Sequence, residues 1–77
     1  MKENIFMKEY QFFDGEDMIT FNLVDINDDN TRVTVMVTNR GAMALFDYDL
    51  LTDEIGLYYV YGVDEERIYI DDFERVD

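Results

Sequence analysis

Alternation of apolar and polar residues is the feature that most limits the folds open to this 77-residue chain. Successive side chains on a β-strand point to opposite faces, so a period of two indicates a strand with one buried face. The segments MITFNLVD and TRVTVMVT both have that period, and the turn-like sequence INDDN separates them. The residues predicted to face the core are Ile19, Phe21, Leu23, Val33, Val35 and Val37.

Two further hairpins are predicted downstream. Asn39-Arg40-Gly41 places Gly where a three-residue hairpin loop needs a left-handed residue, and it leads into a third strand, AMALFDYD. Near the C-terminus, LYYVYG and RIYID flank the four-residue loop VDEE. That loop would pair Tyr61 with Ile68 and Tyr59 with Ile70, which keeps the apolar residues of both strands on one face.

The first hairpin is predicted at Asp14-Gly15, a strong signal for a two-residue turn. This turn would pair Tyr10 with Ile19 and Phe6 with Leu23, and the apolar residues would again share a face. We therefore predict a strand before the turn.

A short helix stays open as an alternative at two places. Phe6, Tyr10 and Phe13 have the i, i+4, i+7 spacing of an amphipathic helix, and residues 49–56 could form a helical turn instead of a loop. The predicted fold is mainly β: an antiparallel meander of five or six strands that forms a curved sheet or small barrel, with one short helix as the open alternative. Residues 1–77 are too few for two separate cores, so we predict a single domain.

Charge is the second constraint, because 19 Asp and Glu against 6 Lys and Arg give a formal net charge of −13. Such a field repels phosphate backbones and anionic lipids and attracts basic protein surfaces. Direct binding of nucleic acid needs Lys and Arg and is disfavoured. No stretch approaches the roughly 20 apolar residues of a membrane span, and the start MKENIFMKEY lacks an uninterrupted apolar signal region. We expect a cytoplasmic protein whose partner is a basic protein surface, without membrane or nucleic-acid binding.

Two acidic clusters are the candidate partner-binding sites, since carboxylates accept charge-assisted hydrogen bonds from Arg and Lys. The segment DYDLLTDE carries four acids in eight positions and no basic residue. The first acidic cluster consists of Asp47, Asp49, Asp53 and Glu54. The second acidic cluster consists of Glu65, Glu66, Asp71 and Asp72. Tyr58 and Tyr69 are predicted on the strand face opposite the core, exposed beside the acids as aromatic anchors for an interface.

The composition excludes the common catalytic constellations. Because the chain has no His, Ser or Cys, neither a Ser-His-Asp nor a Cys-His arrangement can form. Adjacent acids such as Asp71-Asp72 do not make a glycosidase-type pair, because neighbours in a strand point apart and neighbours in a turn are solvated. We predict a protein that is not an enzyme and needs no cofactor.

One weak metal site stays open as an alternative. Residues 25–30 begin like an EF-hand calcium loop, but Asn30 replaces the required Gly and Met36 replaces the final Glu. We predict an ordinary Asn/Asp-rich turn there. The first acidic cluster fixes neither the number nor the angles of metal ligands, so no metal site is predicted.

The acidic runs DGED, INDDN, DYDLLTDE and DEERIYIDD, together with the small size and the lack of catalytic residues, give the chain a class-level resemblance. It resembles the small acidic proteins by which phages and mobile elements block host defence, including anti-CRISPR and anti-restriction DNA mimics. The resemblance implies an inhibitor in the host cytoplasm that occupies a basic nucleic-acid channel, for example on a Cas nuclease. Two phosphate steps of DNA span about 6.8 Å and same-face strand residues lie roughly 6.6 Å apart, so carboxylates could substitute for phosphates.

A structural module is the alternative from another functional class. A small phage assembly protein could form a homo-oligomer through an exposed sheet edge or through the face carrying Tyr58 and Tyr69. Edge strands pair readily unless they are blocked, and this chain has no Pro to block them.

Overall fold

A five-stranded antiparallel sheet is the larger part of the fold, and four of its strands are consecutive in the chain. The computed structural model describes residues 8–75. Within them this sheet has five strands: β1 (Lys8–Phe13), β2 (Met18–Ile26), β3 (Arg32–Asn39), β4 (Ala42–Asp49) and β8 (Glu74–Arg75). Their spatial order is β4-β3-β2-β1-β8. Short turns join the first four strands, so β4 lies at one edge and the two-residue β8 at the other.

A smaller sheet follows in the chain. In the described residues its strands are β5 (Leu51–Thr52), β6 (Leu57–Tyr61) and β7 (Glu66–Tyr69), paired in that order. A 3₁₀ turn at Ile70–Asp72 then leads into β8, which pairs antiparallel with β1. The chain therefore leaves the larger sheet after β4 and rejoins it at the opposite edge.

The prediction of a mainly β fold with an antiparallel meander is confirmed. Six strands of the described chain have four or more residues, and all pair antiparallel. The meander divides into two sheets that do not close into a barrel. The division falls after β4, at Leu50, whose side chain is buried in the core.

The core lies between the two sheets. All six residues that alternation assigned to the core are buried, and Leu50, Tyr59, Ile68 and Phe73 complete the cluster from the other side. Phe21 meets Tyr59 edge-on, with ring centroids 5.9 Å apart, and Tyr48 stacks on Tyr59 at 4.7 Å. Aromatic pairs of this kind add stabilisation beyond the apolar area that they bury.

The first hairpin differs from the two-residue turn predicted at Asp14-Gly15. Phe13 pairs with Met18, so residues 14–17 form a four-residue turn and Tyr10 pairs with Phe21 instead of Ile19. The Asp14 carboxylate accepts hydrogen bonds from the backbone N–H groups of residues 16 and 17, at 2.9 and 2.8 Å. These bonds lower the pKa of Asp14, and they stabilise the longer turn. Phe6 lies outside the described residues.

The two later hairpins also differ from the predicted registers. Asn39 pairs with Ala42, so the turn consists of Arg40 and Gly41 alone, both with positive φ, as a type I′ turn requires. In the last hairpin Tyr61 pairs with Glu66, and residues 62–65 form the loop. Tyr59 consequently pairs with Ile68, two residues from the prediction. The register differs from the prediction by two residues in the first and the last hairpin, and a shift of two leaves every side chain on its predicted face.

The helical alternatives have separate outcomes. Residues 8–13 form strand β1, so the strand predicted before the first turn is confirmed there and the helical alternative is wrong for them; residues 1–7 lie outside the described residues. Residues 49–56 form the end of β4, strand β5 and a turn closed by a 3.1 Å hydrogen bond from the Asp53 N–H to the Gly56 carbonyl. The predicted helical turn is therefore absent from residues 49–56.

Candidate partner-binding surface

The segment DYDLLTDE connects the two sheets, and its first two acids project from β4. Asp47 accepts a 2.6 Å hydrogen bond from the Thr34 hydroxyl, and Asp49 lies 3.6 Å from Arg32. Both contacts join directly paired positions on β3 and β4. Leu50 then turns into the core, and its N–H donates to the Thr31 carbonyl at 2.8 Å. The two carboxylates are therefore exposed side by side on one face of β4.

Asp53 accepts more hydrogen bonds than any other carboxylate of DYDLLTDE in the described chain. One of its oxygens accepts hydrogen bonds from the backbone N–H groups of Ile55 and Gly56, at 2.8 and 3.2 Å. The other oxygen accepts from the Arg67 guanidinium at 2.6 Å and from the Tyr69 hydroxyl at 2.5 Å. Asp53 thus fixes the turn before β6 and ties it to β7.

The electrostatics around Asp53 follow from these bonds. The hydrogen bond from Tyr69 is the largest cause of the lowered pKa of Asp53, and the backbone donors and Arg67 act in the same direction. The same bond raises the pKa of Tyr69 because it favours the protonated hydroxyl. Hydrogen bonding to Tyr69 and to Asp53 raises the pKa of Arg67. Asp53 therefore stays ionised with its charge directed into the protein.

The segment DYDLLTDE contains no basic residue, but two of its acids have cationic partners from elsewhere in the chain. Arg32 and Arg67, which are distant in sequence, supply partners to Asp49 and Asp53. Glu54 is exposed and has no ion-pair or hydrogen-bond partner among residues 8–75. Glu54 is consequently the member of the cluster whose charge is least compensated.

The second acidic cluster is divided between two ends of the smaller sheet. Glu65 and Glu66 lie at the β6–β7 loop, where Glu65 has a left-handed backbone, with φ of 55°. Asp71 and Asp72 lie in the 3₁₀ turn, at the other end of β7. All four are exposed. The eight predicted acids therefore form no single patch.

Asp71 instead lies close to the first acidic cluster. Its Oδ2 atom would be 3.6 Å from a Cβ atom placed on Gly56, in the turn that Asp53 caps. Gly56 has φ of 152°, within the range that favours glycine. Asp71 thus adds its charge to the end of the molecule that carries Glu54.

The predicted exposure of Tyr58 is wrong. Tyr58 retains 8% of its accessible surface, because the Arg67 guanidinium lies 4.7 Å from its ring centre and the Tyr69 ring lies 5.4 Å away. Tyr69 is half-buried and donates its hydroxyl to Asp53. A cation over an aromatic face is an attractive contact. The outer face of β6 and β7 is consequently occupied by the protein's own side chains.

An open depression of about 370 Å³ lies beside the β6–β7 loop. It combines aromatic rings with carboxylates, including Asp14 and Asp64, which sequence reasoning did not assign to a site. Its walls are formed by Phe12, Phe13, Asp14, Tyr61, Gly62, Val63, Asp64 and Glu66. Tertiary structure brings the two turns together, and no short sequence pattern signals that approach.

Strand β4 carries the largest set of exposed apolar residues on one strand of the described chain. Met43, Leu45 and Phe46 keep 67%, 62% and 48% of their accessible surface. A sequence signal existed, because AMALF is apolar at five consecutive positions and alternation therefore assigns apolar side chains to both faces. Sequence reasoning predicted a strand there and did not assign either of its faces to the core.

The Asn/Asp-rich turn after β2 is organised by Asn27. Its side-chain oxygen accepts hydrogen bonds from the N–H groups of Thr31 and Arg32, at 2.9 and 3.0 Å. Throughout residues 8–75, no three carboxylates are grouped as metal ligands would be. The Asn27 oxygen, an essential early ligand in the EF-hand pattern, is thus engaged with backbone donors.

Comparison with known proteins gives no relative. No protein-family model matches the chain, no curated protein matches it significantly in sequence, and no solved structure matches it significantly in fold. Among residues 8–75, no helix has the length and apolar character needed to cross a membrane. Functional inference therefore depends on the surface just described.

Proposed function

We propose that this protein is a non-enzymatic inhibitor that acts in the host cytoplasm. It binds a basic surface of another protein and competes there with nucleic acid. A Cas nuclease or another DNA- or RNA-binding nuclease has the appropriate surface. The acidic side chains stand in for phosphates, and Lys and Arg of the partner donate hydrogen bonds to them.

The observation that carries this proposal is how the few cations are used. Arg32, Arg40 and Arg67 are each engaged by a carboxylate of the protein itself. Many exposed acids consequently have no cation within the described chain to compensate them. They include Glu54, Asp64, Glu65, Glu66, Asp71 and Asp72. A surface with this surplus attracts basic proteins and accelerates their association.

The geometry of β4 adds support. Asp47 and Asp49 are two residues apart on one strand and face the same side, which separates them by roughly 6.6 Å, close to two axial phosphate steps. Their Thr34 and Arg32 contacts hold the carboxylates without burying them. Each carboxylate keeps lone pairs available for a donor from a partner.

A competition experiment tests the proposal. The protein is used to capture partners from host lysate, with and without nuclease treatment, and the captured protein is then titrated with duplex DNA and with RNA at several salt concentrations. We expect nucleic acid to displace this protein, and we expect affinity to fall steeply as salt rises. Binding that excess nucleic acid leaves intact, or that is insensitive to salt, would refute the proposal.

Amide variants locate the contacts. One variant carries Asp47→Asn, Asp49→Asn and Glu54→Gln; it leaves Asp53 unchanged, because Asp53 supports the turn. A second variant neutralises the second acidic cluster. A control variant carries Asp28→Asn and Asp29→Asn in the β2–β3 turn. We expect a loss of affinity from one or both cluster variants that exceeds the loss from the control at equal salt.

A second candidate function is assembly, and the exposed edge of β4 is the observation that favours it. An unpaired edge strand with apolar side chains is a template for another strand. The alternative route through the tyrosine face has less support, because Arg67 covers Tyr58. Sedimentation separates the two candidates: salt screens the repulsion between copies and would strengthen a homo-oligomer, whereas it would weaken a complex with a basic partner.

A further inference from the structure

Strand β4 has a long unpaired edge. It extends over eight residues and pairs on one side with β3; within the described chain, no strand pairs with its other side. Its pairing with β3 runs in register through all eight residues, without the bulge that interrupts β2 between Leu23 and Asp25. Proteins usually block such edges with Pro, Lys or a bulge. β4 has no Pro, Lys or bulge, although its end carries two charged residues, Asp47 and Asp49.

The turn before β4 determines which backbone groups are available. Asn39 and Ala42 close a two-residue turn, so they form a hydrogen-bonded pair. Hydrogen-bonded and non-hydrogen-bonded pairs alternate along an antiparallel ladder. The even-numbered residues of β4 therefore bond to β3, while Met43, Leu45, Asp47 and Asp49 direct their N–H and C=O groups away from it. This edge can accept a full ladder from an added strand.

The side chains of the edge favour a particular kind of strand. On the face that carries Met43 and Leu45, an added strand would meet two apolar residues and then the carboxylates of Asp47 and Asp49. On the core-side face it would meet Ala44 and Phe46, both exposed. Opposite charges and apolar pairs across strands are stabilising. The matching strand is apolar beside Met43 and Leu45 and basic beside the two acids.

A second copy of this chain matches the edge less well than a basic partner does. Each copy carries a net charge of −13, so association of two copies brings large like charges together. A second β4 would also place no cation opposite Asp47 and Asp49, because β4 contains no Lys or Arg. Charge complementarity therefore identifies an extended basic segment of another protein as the occupant.

We propose that the outer edge of β4 captures an extended segment of a partner protein as an added antiparallel strand, with Lys or Arg of that segment opposite Asp47 and Asp49. This inference rests on the proposed function, because it specifies how the acidic protein holds its basic partner. Backbone hydrogen bonds to the added strand provide affinity, and the apolar and acidic side chains of β4 provide selectivity.

A designed peptide tests the proposal directly. The probe is the capped peptide KVKVIVIV, whose antiparallel addition places Lys opposite Asp49 and Asp47 and Ile opposite Leu45 and Met43. The readout is hydrogen exchange of backbone amides, followed by NMR at about 150 mM salt, where long-range attraction is screened. We expect exchange at Met43, Leu45 and Asp47 to slow by at least about tenfold. Ala44 and Phe46, already bonded to β3, should change much less.

Matched peptides and variants supply the controls. The peptide EVEVIVIV keeps the strand pattern and reverses the charge, and KVKVPVIV removes the N–H that would face Leu45; neither should slow exchange at these positions. Leu45→Pro removes an outward-pointing donor of β4 and should weaken binding of the Lys peptide by about tenfold or more. Leu45→Thr keeps that donor and should weaken binding less. Circular dichroism checks that both variants retain the fold.

Each contrary result has a distinct meaning. If Met43 and Leu45 are protected without peptide and the protein sediments as a dimer, a second copy occupies the edge and the proposal is overturned. Equal binding of the Glu peptide would also overturn it, as would the absence of peptide binding. If the Lys peptide binds without protection at β4, the edge proposal fails, while the proposed acidic binding function stands and its interface lies elsewhere.

Discussion

Removing the hydroxyl of Tyr59 should stabilise the protein. The Tyr59 side chain is fully buried, and its hydroxyl has no hydrogen-bond partner in the described chain. An unpaired buried hydroxyl costs about 1–3 kcal/mol relative to its hydrated state in the unfolded chain. Tyr59→Phe keeps the ring contacts with Phe21 and Tyr48 and leaves a void of roughly 15 Å³, which costs about 0.4 kcal/mol. The net gain is about 0.6–2.6 kcal/mol.

Chemical and thermal denaturation measure this effect. For a domain of this size, 1 kcal/mol corresponds to a rise in Tm of about 4–8 °C. The matched control is Tyr61→Phe, because Tyr61 is only half-buried and borders an open depression. We expect the control to change the free energy of unfolding by no more than about 0.5 kcal/mol. A Tyr59→Phe protein that is less stable than the original would refute the reasoning, since the hydroxyl would then have a favourable partner.

The pH dependence provides an independent check on the same residue. Burial raises the pKa of Tyr59 above its ordinary value of 10.0, so above pH 10 the unfolded chain releases a proton that the folded protein retains. The stability associated with this group is fully present below pH 10 and decreases above it by about 1.4 kcal/mol per pH unit. The stability difference between Tyr59→Phe and the original protein should therefore widen above pH 10. A constant difference would show that the hydroxyl titrates normally.

Three other perturbations have expected outcomes. Leu50→Ala should lower the free energy of unfolding by about 2–5 kcal/mol in urea titrations, because Leu50 is 6% exposed and anchors the passage between the sheets. Asp53→Asn should destabilise the turn before β6 and flatten the loss of stability on acidification. The hydrogen bond from Tyr69 is the largest cause of the lowered pKa of Asp53. The stability that the Asp53 carboxylate contributes is therefore fully present above pH 3.8, its ordinary pKa, and is lost as pH falls through the lower pKa of the folded protein. Urea titrations of the variant and the original protein at several pH values measure this loss. Arg32→Ala should change stability by less than about 1 kcal/mol, because the Arg32–Asp49 pair is exposed; a larger loss in thermal melts would contradict this.

Comparison of prediction and structure shows which information a β sequence carries. Alternation assigned Phe21 and Val35 to the core, and both are fully buried. The registers of two hairpins were nevertheless wrong by two residues, as with Tyr59 and its partner Ile68. A shift of two leaves every side chain on the same face, so the hydrophobic pattern does not distinguish the two registers. Hydrogen bonds within the turn decide between the two registers; an example is the pair of bonds that the Asp14 carboxylate accepts from backbone N–H groups.

The candidate surface shows a different limit. Sequence reasoning identified the acids of DYDLLTDE but assigned them no cations, because it considered only neighbours in the chain. Arg67 reaches Asp53 across 14 positions, and the same guanidinium covers Tyr58. The exposure of β4 was missed for a related reason: alternation indicates which residues could be buried, and it does not indicate whether a second sheet covers them.

The sequence by itself determined the β character, the faces of the long strands and the large negative charge, because all three follow from residue type and a period of two. Tertiary structure alone decided that the meander divides at Leu50, that three arginines neutralise acids of their own chain, and that the edge of β4 stays open. These features depend on which distant segments come into contact. The free energy of those contacts comes from side-chain packing and strand pairing, which no local sequence pattern encodes.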